Sequence, residues 1–177
     1  GEEKLAVLLN AKVAVCGVGG VGAAATEALA RSGVGSLRLI DFDTISKSNL
    51  NRQLHTNLQN VGMVKADAMR QRILTINPHC LVEVVPQLIT AENTAEILSG
   101  VDYIVDAIDD VPAKIAVAVF AKENGIPLVV SMGTGNKVHP EKLELADISQ
   151  TEVCPLARKL RRELKKRGIS KGLPVVY

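Results

Sequence analysis

Between a β-branched run, Lys12–Cys16 (KVAVC), and an alanine-rich segment, Ala23–Arg31, the chain carries Gly17-Val18-Gly19-Gly20-Val21-Gly22. No other stretch narrows the possible folds as much. The run before it reads as a strand and the segment after it as a helix, and the glycines between them imply a tight turn that leaves backbone open to a ligand. Strand, glycine turn and helix open a βαβ unit, in which the turn's N–H groups approach a phosphate at the positive end of the helix. Asp41, 19 residues after Gly22 and at the end of the next predicted strand, Ser36–Ile40, is placed to accept from both ribose hydroxyls. Gly17, Gly19, Gly20, Gly22 and Asp41 therefore read as a nucleotide-binding set.

The rest of the pattern alternates strand with helix. Lys65–Ile76 puts Ala66, Met69, Ile73 and Ile76 on one helical face and stops at Asn77–Pro78. Leu81–Val85 reads as a strand, Ala91–Leu98 as a short helix, Tyr103–Ile108 as a strand, Pro112–Glu123 as a helix and Pro127–Ser131 as a strand. This order predicts an α/β protein, a Rossmann-like, doubly wound and mostly parallel sheet. After Gly135, Lys142–Ile148 alternates like a half-exposed strand and Pro155–Arg167 is a basic amphipathic helix, so a mixed or antiparallel C-terminal part is expected. The expected organisation is one domain over 1–177, with a nucleotide-binding core at 11–135 and a substrate-side extension at 136–177. No strand or cap is apparent at Gly1, and the chain stops inside the apolar run Val175–Tyr177, so it reads as an excerpt of a longer protein.

Composition removes several function classes. With 47% hydrophobic and 23% charged residues the chain can build a core, which excludes disorder as the dominant state. Apolar runs such as Ile115–Ala121 fall far short of the ~20 residues of a spanning helix, and no basic-then-apolar signal segment opens the chain. Cys16, Cys80 and Cys154 are odd in number and lack C-x-x-C spacing, which argues against a disulfide framework or thiolate zinc and points to a reducing cytoplasm. Phe42, Tyr103, Phe120 and Tyr177 are the aromatic residues, too few for reading single strands by base stacking. The net charge of +2 conceals a partition: residues 1–154 carry 13 basic and 18 acidic side chains, and residues 155–177 carry eight and one.

The stretch Phe42–Gly62 is far longer than the ~4–6 residues of a typical connection and has little periodicity. It holds Asp43, Ser48, Asn49, Arg52 and Gln53, and Lys65 opens the next helix. NAD(P) and ATP both offer an adenosine with phosphate, so the glycine turn does not choose between them. Arg52 and Lys65, however, supply positive charge that a triphosphate requires beyond one helix terminus. Asp109, placed by the pattern at the end of the fourth strand, lies where open α/β sheets bind ligands and suits Mg²⁺ bridging phosphate oxygens. Lys137, beyond the fifth strand, is positioned toward the substrate side.

Asp41–Gln53 (DFDTISKSNLNRQ) resembles the D-x-D-x-V-x-x-S-N-L-x-R-Q signature of the ubiquitin-activating-like superfamily of adenylating enzymes. Gly17–Gly22 is similar to its G-x-G-G-x-G, Gly62–Ala66 (GMVKA) to its G-x-x-K-A, and Asp106–Asp110 (DAIDD) to its acidic strand end. Members use ATP and Mg²⁺ to adenylate a carboxylate, releasing pyrophosphate. The resemblance implies that Gly19 and neighbouring amides meet the nucleotide, Asp41 the ribose, Asn49, Arg52 and Lys65 the phosphates, and Asp109 the metal, with Arg52, Lys65 and Asp109 as the catalytic set. Ser48 and Gln53 are expected to hold the loop in shape, and Asp43 to assist Asp41 or cap the loop.

Asp147–Thr151 (DISQT), Cys154–Arg158 (CPLAR) and the basic helix resemble the branch of this superfamily that acts on tRNA. That branch adenylates the carboxylate of a threonylcarbamoyl-modified adenosine beside the anticodon and promotes ring closure with loss of water. It implies tRNA as partner, a homodimer, and scope for a sulfur-relay partner. In the helix, Leu156, Leu160 and Leu164 form the docking stripe, leaving seven cations exposed; Arg158, Arg161, Arg162 and Lys166 are the expected tRNA contacts. Cys154, at the helix start, is read as a local structural residue or an acyl acceptor. Three other readings stay open: an adenylyltransferase for a ubiquitin-like sulfur carrier, a nucleotide-binding module without catalysis, and an NAD(P) dehydrogenase.

Overall fold

Residues 1–134 and 138–177 are described in the computed structural model, so Lys137 and the Gly135 boundary lie outside the described residues. Among the described residues, seven strands form one sheet in the order β3-β2-β1-β4-β5-β7-β6. Strand β1 (Lys12–Cys16) is central, pairing parallel with β2 (Ser36–Ile40) on one side and β4 (Tyr103–Asp106) on the other. Strands β3 (Leu81–Val85) and β5 (Leu128–Ser131) extend the sheet in parallel at β2 and β4. Strand β7 (Pro174–Val176) adds parallel to β5, and β6 (Leu145–Asp147) closes that edge antiparallel to β7. The fold is thus the expected mostly parallel α/β sheet with an antiparallel C-terminal part. Chain order reverses between β1 and β4, which opens a crevice beyond their carboxyl ends.

Both faces of the sheet are covered, and β1 shows why its sequence is apolar throughout. Val13 and Val15 pack with Leu37, Leu39, Ala23 and Ala30 of α2 (Gly20–Arg31), and Met69 and Ile73 of α3 (Lys65–Ile76). Ala14 and Cys16 point the other way, into a cluster with Leu98 of α4 (Thr94–Leu98), Val117 and Ala121 of α5 (Val111–Glu123), and Leu160 and Leu164 of α6 (Pro155–Lys165). Each fully buried Val, Leu, Ile or Met side chain among them contributes ~1.5–3 kcal/mol.

The first helix, α1 (Glu2–Asn10), is an element the pattern did not reveal. Leu5, Leu8 and Leu9 stand at i, i+3 and i+4, but none of the helix's residues is buried, so this apolar spacing faces no core; its Glu, Lys, Ala and Leu content and the acidic first turn favour helix locally. It is anchored at its end, where Gly35 N–H donates to Leu8 O at 3.0 Å and a Cβ at Gly35 would stand 1.7 Å from Leu9 O.

Other differences are at boundaries. Helix α2 begins three residues earlier than expected, because the glycines themselves form its first turn. Strand β4 ends at Asp106, so Asp109 sits in the following loop rather than at the strand end. Strand β6 starts later than expected because Pro140–Lys142 forms a 3-10 turn. The long stretch after Asp41 is not structureless: Ser46 with Asn49 and Asn57 with Asn60 cap two 3-10 turns, and Thr44 bridges Val64. No helix among the described residues is long and apolar enough to cross a membrane.

Candidate nucleotide-binding site

At the end of β1 the backbone turns at Gly17 with φ +84°, a region that disfavours side chains, and a Cβ there would lie 2.9 Å from Ala107 O. Gly22 is tighter still, since its Cβ would stand 1.8 Å from Gly17 O. Gly19 is the N-cap of α2 and provides no side-chain acceptor, so the first-turn N–H groups lack intrahelical partners. Gly17, Gly19 and Gly20 line a cavity of about 420 Å³ at the carboxyl edge of the sheet. Gly22 does not line it; its role is to let α2 close against the turn.

Asp41 joins the two halves of this wall. Its Oδ2 accepts from Val18 N–H at 2.7 Å and its Oδ1 from Asp43 N–H at 2.9 Å, so one carboxylate orders the glycine turn and the loop that follows β2. Burial raises the Asp41 carboxyl above its ordinary range, and those two N–H donors oppose the shift. Asp43 also reaches Lys65: its Oδ2 pairs with Lys65 Nζ at 2.6 Å, while its carbonyl accepts from Lys65 N–H at 3.0 Å. Lys65, largely buried at the start of α3, is thereby held against the cavity.

The rest of the loop supplies Asn49, Arg52 and Gln53 to the lining. Asn49 Oδ1 accepts from Ser46 N–H at 2.9 Å, and Arg52 Nη1 donates to Ser48 O at 3.0 Å and Asn51 Oδ1 at 2.8 Å. Ser48 stays exposed outside the cavity, its Oγ 2.8 Å from Ser46 Oγ, in keeping with a loop-shaping residue rather than a nucleotide contact. Gln53 is different: it is buried, lines the cavity, and its Oε1 has no partner. His55, two residues on, is 4% exposed with both ring nitrogens unpartnered. Burial depresses its pKa to about 4, with the charges of Lys65 and Arg72 adding to the effect. The imidazole thus makes no hydrogen bond to the loop that carries it.

Asp109 is exposed and lines the same cavity. Among the described residues no group of three or more His, Cys, Asp or Glu is able to enclose a metal ion, so any cation here relies on at most two such side chains plus ligand oxygens. Sequence reasoning missed the apolar wall of Phe42, Leu88 and Ile89, and the β5-end wall of Ser131, Met132 and Gly133. The signal was present in the strand ends, since loops at carboxyl termini of strands converge on the switch point.

Helix α6 meets the cavity through Leu156, and Cys154 is its N-cap: Sγ accepts from Ala157 N–H at 3.4 Å and donates to Gly133 O at 3.7 Å. The thiol is buried and engaged in structure. Of the seven cations expected to be free, Arg161 is turned inward, its Nη1 donating to Thr151 O at 2.7 Å and also reaching Thr151 Oγ1 and Ile148 O. It secures α6 to the segment before it, which corrects the reading of Arg161 as an exposed contact. Arg158 is exposed, while Arg162 and Lys166, also exposed, share Glu163 at 3.3 Å and 2.9 Å.

The model of the ThiF family matches residues 1–171. The chain is 45% identical over 178 residues to tRNA threonylcarbamoyladenosine dehydratase of Bacillus subtilis, covering all of this chain and 70% of that protein. It is 44% identical over 166 residues to the Escherichia coli protein of the same name, covering 93% of this chain and 62% of that one. The crystal structure of the Escherichia coli dehydratase in complex with ATP superposes with a TM-score of 0.96 at 41% identity, over 99% of this chain and 76% of that chain. The chain thus spans about two thirds of the length of these relatives.

Proposed function

The chain belongs to the ThiF family, and from that premise we propose that it binds ATP at the glycine turn and adenylates the carboxylate of threonylcarbamoyladenosine in tRNA, promoting its cyclisation with loss of water. One observation carries the reading. The fold brings Arg52, Lys65 and Asp109, far apart in sequence, to one cavity of about 420 Å³ beside the glycine turn and Asp41. The relatives named as dehydratases, one of them solved with ATP, support the same substrate and nucleotide.

In this reading the unpaired amides at the start of α2 receive phosphate oxygens and Asp41 receives the ribose. Ile40, Phe42, Leu88 and Ile89 offer the base an apolar wall. A carboxylate oxygen of the substrate attacks the α-phosphorus; the new O–P bond forms as the bond to pyrophosphate breaks. Negative charge then moves onto the leaving phosphates, and Arg52 and Lys65, already in place, stabilise it without reorganisation. Lys65 keeps Asp43 as its anchor, which fixes the ammonium for this task. Asp109, exposed in the cavity lining, would hold Mg²⁺, which would supply further charge neutralisation when bound. Gln53, whose buried Oε1 has no partner, and Asn49 line the same cavity. Arg158, Arg162 and Lys166 meet tRNA phosphates, and the homodimer implied by the resemblance belongs to the same proposal.

ATP–pyrophosphate exchange by the purified protein tests the reading. Exchange is expected with tRNA bearing the threonylcarbamoyl-modified adenosine and not with a sulfur-carrier tail ending in Gly-Gly. Exchange with the tail alone would replace the substrate; exchange with neither, where ATP still binds, would leave a nucleotide-binding module without catalysis.

A further inference from the structure

Beneath the cavity lies an ion pair that the proposed chemistry does not use. Lys114 of α5 and Asp106 at the end of β4 are both 0% exposed, with Nζ 3.0 Å from Asp106 Oδ1. Lys114 Nζ also donates to Ser131 O, the last residue of β5, at 2.8 Å. Asp106 Oδ1 takes a second donor, Ile108 N–H at 3.0 Å, from the loop that leads to Asp109. Two charges in a core cost several kcal/mol of desolvation each, and a pair of apolar residues of similar volume is often as stable or more so. Stability alone is therefore a weak reason for this pair.

Its position suggests another. The ammonium ties together the carboxyl ends of β4 and β5 and the first turns of α5, and the two strands continue directly into the cavity wall. Ala107, Ile108 and Asp109 follow Asp106 on one side, and Met132 and Gly133 follow Ser131 on the other. Ala107 is also the residue on which the glycine turn closes, since Gly17 comes within 2.9 Å of its carbonyl oxygen at the place of a Cβ. The Ile108 bond fixes the direction in which the loop leaves the strand, and the Ser131 bond fixes how far the β5 wall stands from it.

We propose that the Lys114–Asp106 pair is a positioning element that sets the spacing between the Asp109 loop, the glycine turn and the β5 wall, and so holds the cavity in the geometry that accepts ATP. The inference deepens the nucleotide-binding reading of the same cavity. It acts through backbone: neither side chain lines the cavity itself.

The test uses the charge-free pair Lys114→Met with Asp106→Leu, which leaves no uncompensated charge. A second double variant, Lys114→Met with Asp106→Asn, keeps an Oδ1 able to accept from Ile108 N–H. Thermal melting and calorimetric titration with ATP and Mg²⁺ are measured on each. The expected result is a cooperative melt close to the wild type and ATP binding weakened by about tenfold or more, corresponding to ~1.4 kcal/mol. A purely structural pair would lose nothing once the fold is restored, so wild-type ATP affinity in a folded variant overturns the proposal. Failure of both variants to fold would assign the pair to stability and overturn it equally. ATP binding needs no acceptor substrate; wild-type protein that binds ATP without exchange activity therefore counts against adenylation and leaves this inference to be judged on affinity.

Discussion

At the scale of single residues, the site is organised by groups that answer backbone donors before they meet any ligand. Asp41 holds Val18 and Asp43 N–H groups, and Cys154 holds Ala157 N–H. His55 breaks this rule, being buried with neither nitrogen paired. Its pKa, about 4 in the fold against an ordinary 6.5, means that between those values the unfolded chain binds a proton that the folded chain refuses. The stability present above about pH 6.5 is accordingly lost as pH falls toward about 4. His55→Leu should flatten this acid limb and leave stability at pH 7 unchanged to within about 1 kcal/mol, because two unsatisfied nitrogens give way to carbon. Urea melts of both proteins across that range check it, and parallel pH profiles would refute the assignment. Residue chemistry made Asp41, Arg52, Lys65 and Asp109 legible in sequence. It left the partners of Asp43 and Arg161 unreadable, because Asp43 Oδ2 finds Lys65 across 22 residues and Arg161 finds Thr151 across ten.

Among elements, α6 separates docking from exposure most clearly. Leu160 and Leu164 are fully buried, as the i, i+4 stripe predicted, whereas Arg161 is a tether rather than a surface charge. Leu160→Ala should destabilise the protein by ~2–5 kcal/mol through lost burial and the cavity left behind. Arg161→Gln should cost ~1.5–3 kcal/mol from its charged hydrogen bonds while leaving tRNA affinity within about twofold. Denaturant melts and filter binding measure the two effects; a large affinity loss with unchanged stability would return Arg161 to the surface set. Helix α1 shows the opposite case. Its Leu5, Leu8 and Leu9 repeat at helical spacing yet none is buried, and its close approach to Gly35 ties it to the fold.

For the whole molecule the charge partition is the governing feature. Residues 1–154 hold a net −5 and residues 155–177 a net +7, so anions are attracted to one terminal segment of an otherwise acidic body. Replacing Arg158, Arg162 and Lys166 by Gln should weaken tRNA binding and lower the slope of log affinity against log salt by ~0.9 for each duplex phosphate no longer neutralised. Unchanged affinity at low salt would remove α6 from the interface. The amino-acid sequence by itself determined the alternation of strand and helix, the glycine turn, Asp41 and the cations of the loop, because backbone geometry, periodicity and side-chain chemistry are local properties. Only the tertiary structure decided that Ser48 and Gly22 stand off the cavity, that Arg161 faces inward, and that Lys114 reaches both Asp106 and Ser131. Those outcomes depend on which strands lie side by side and how closely helices approach them, and no window of sequence contains that distance.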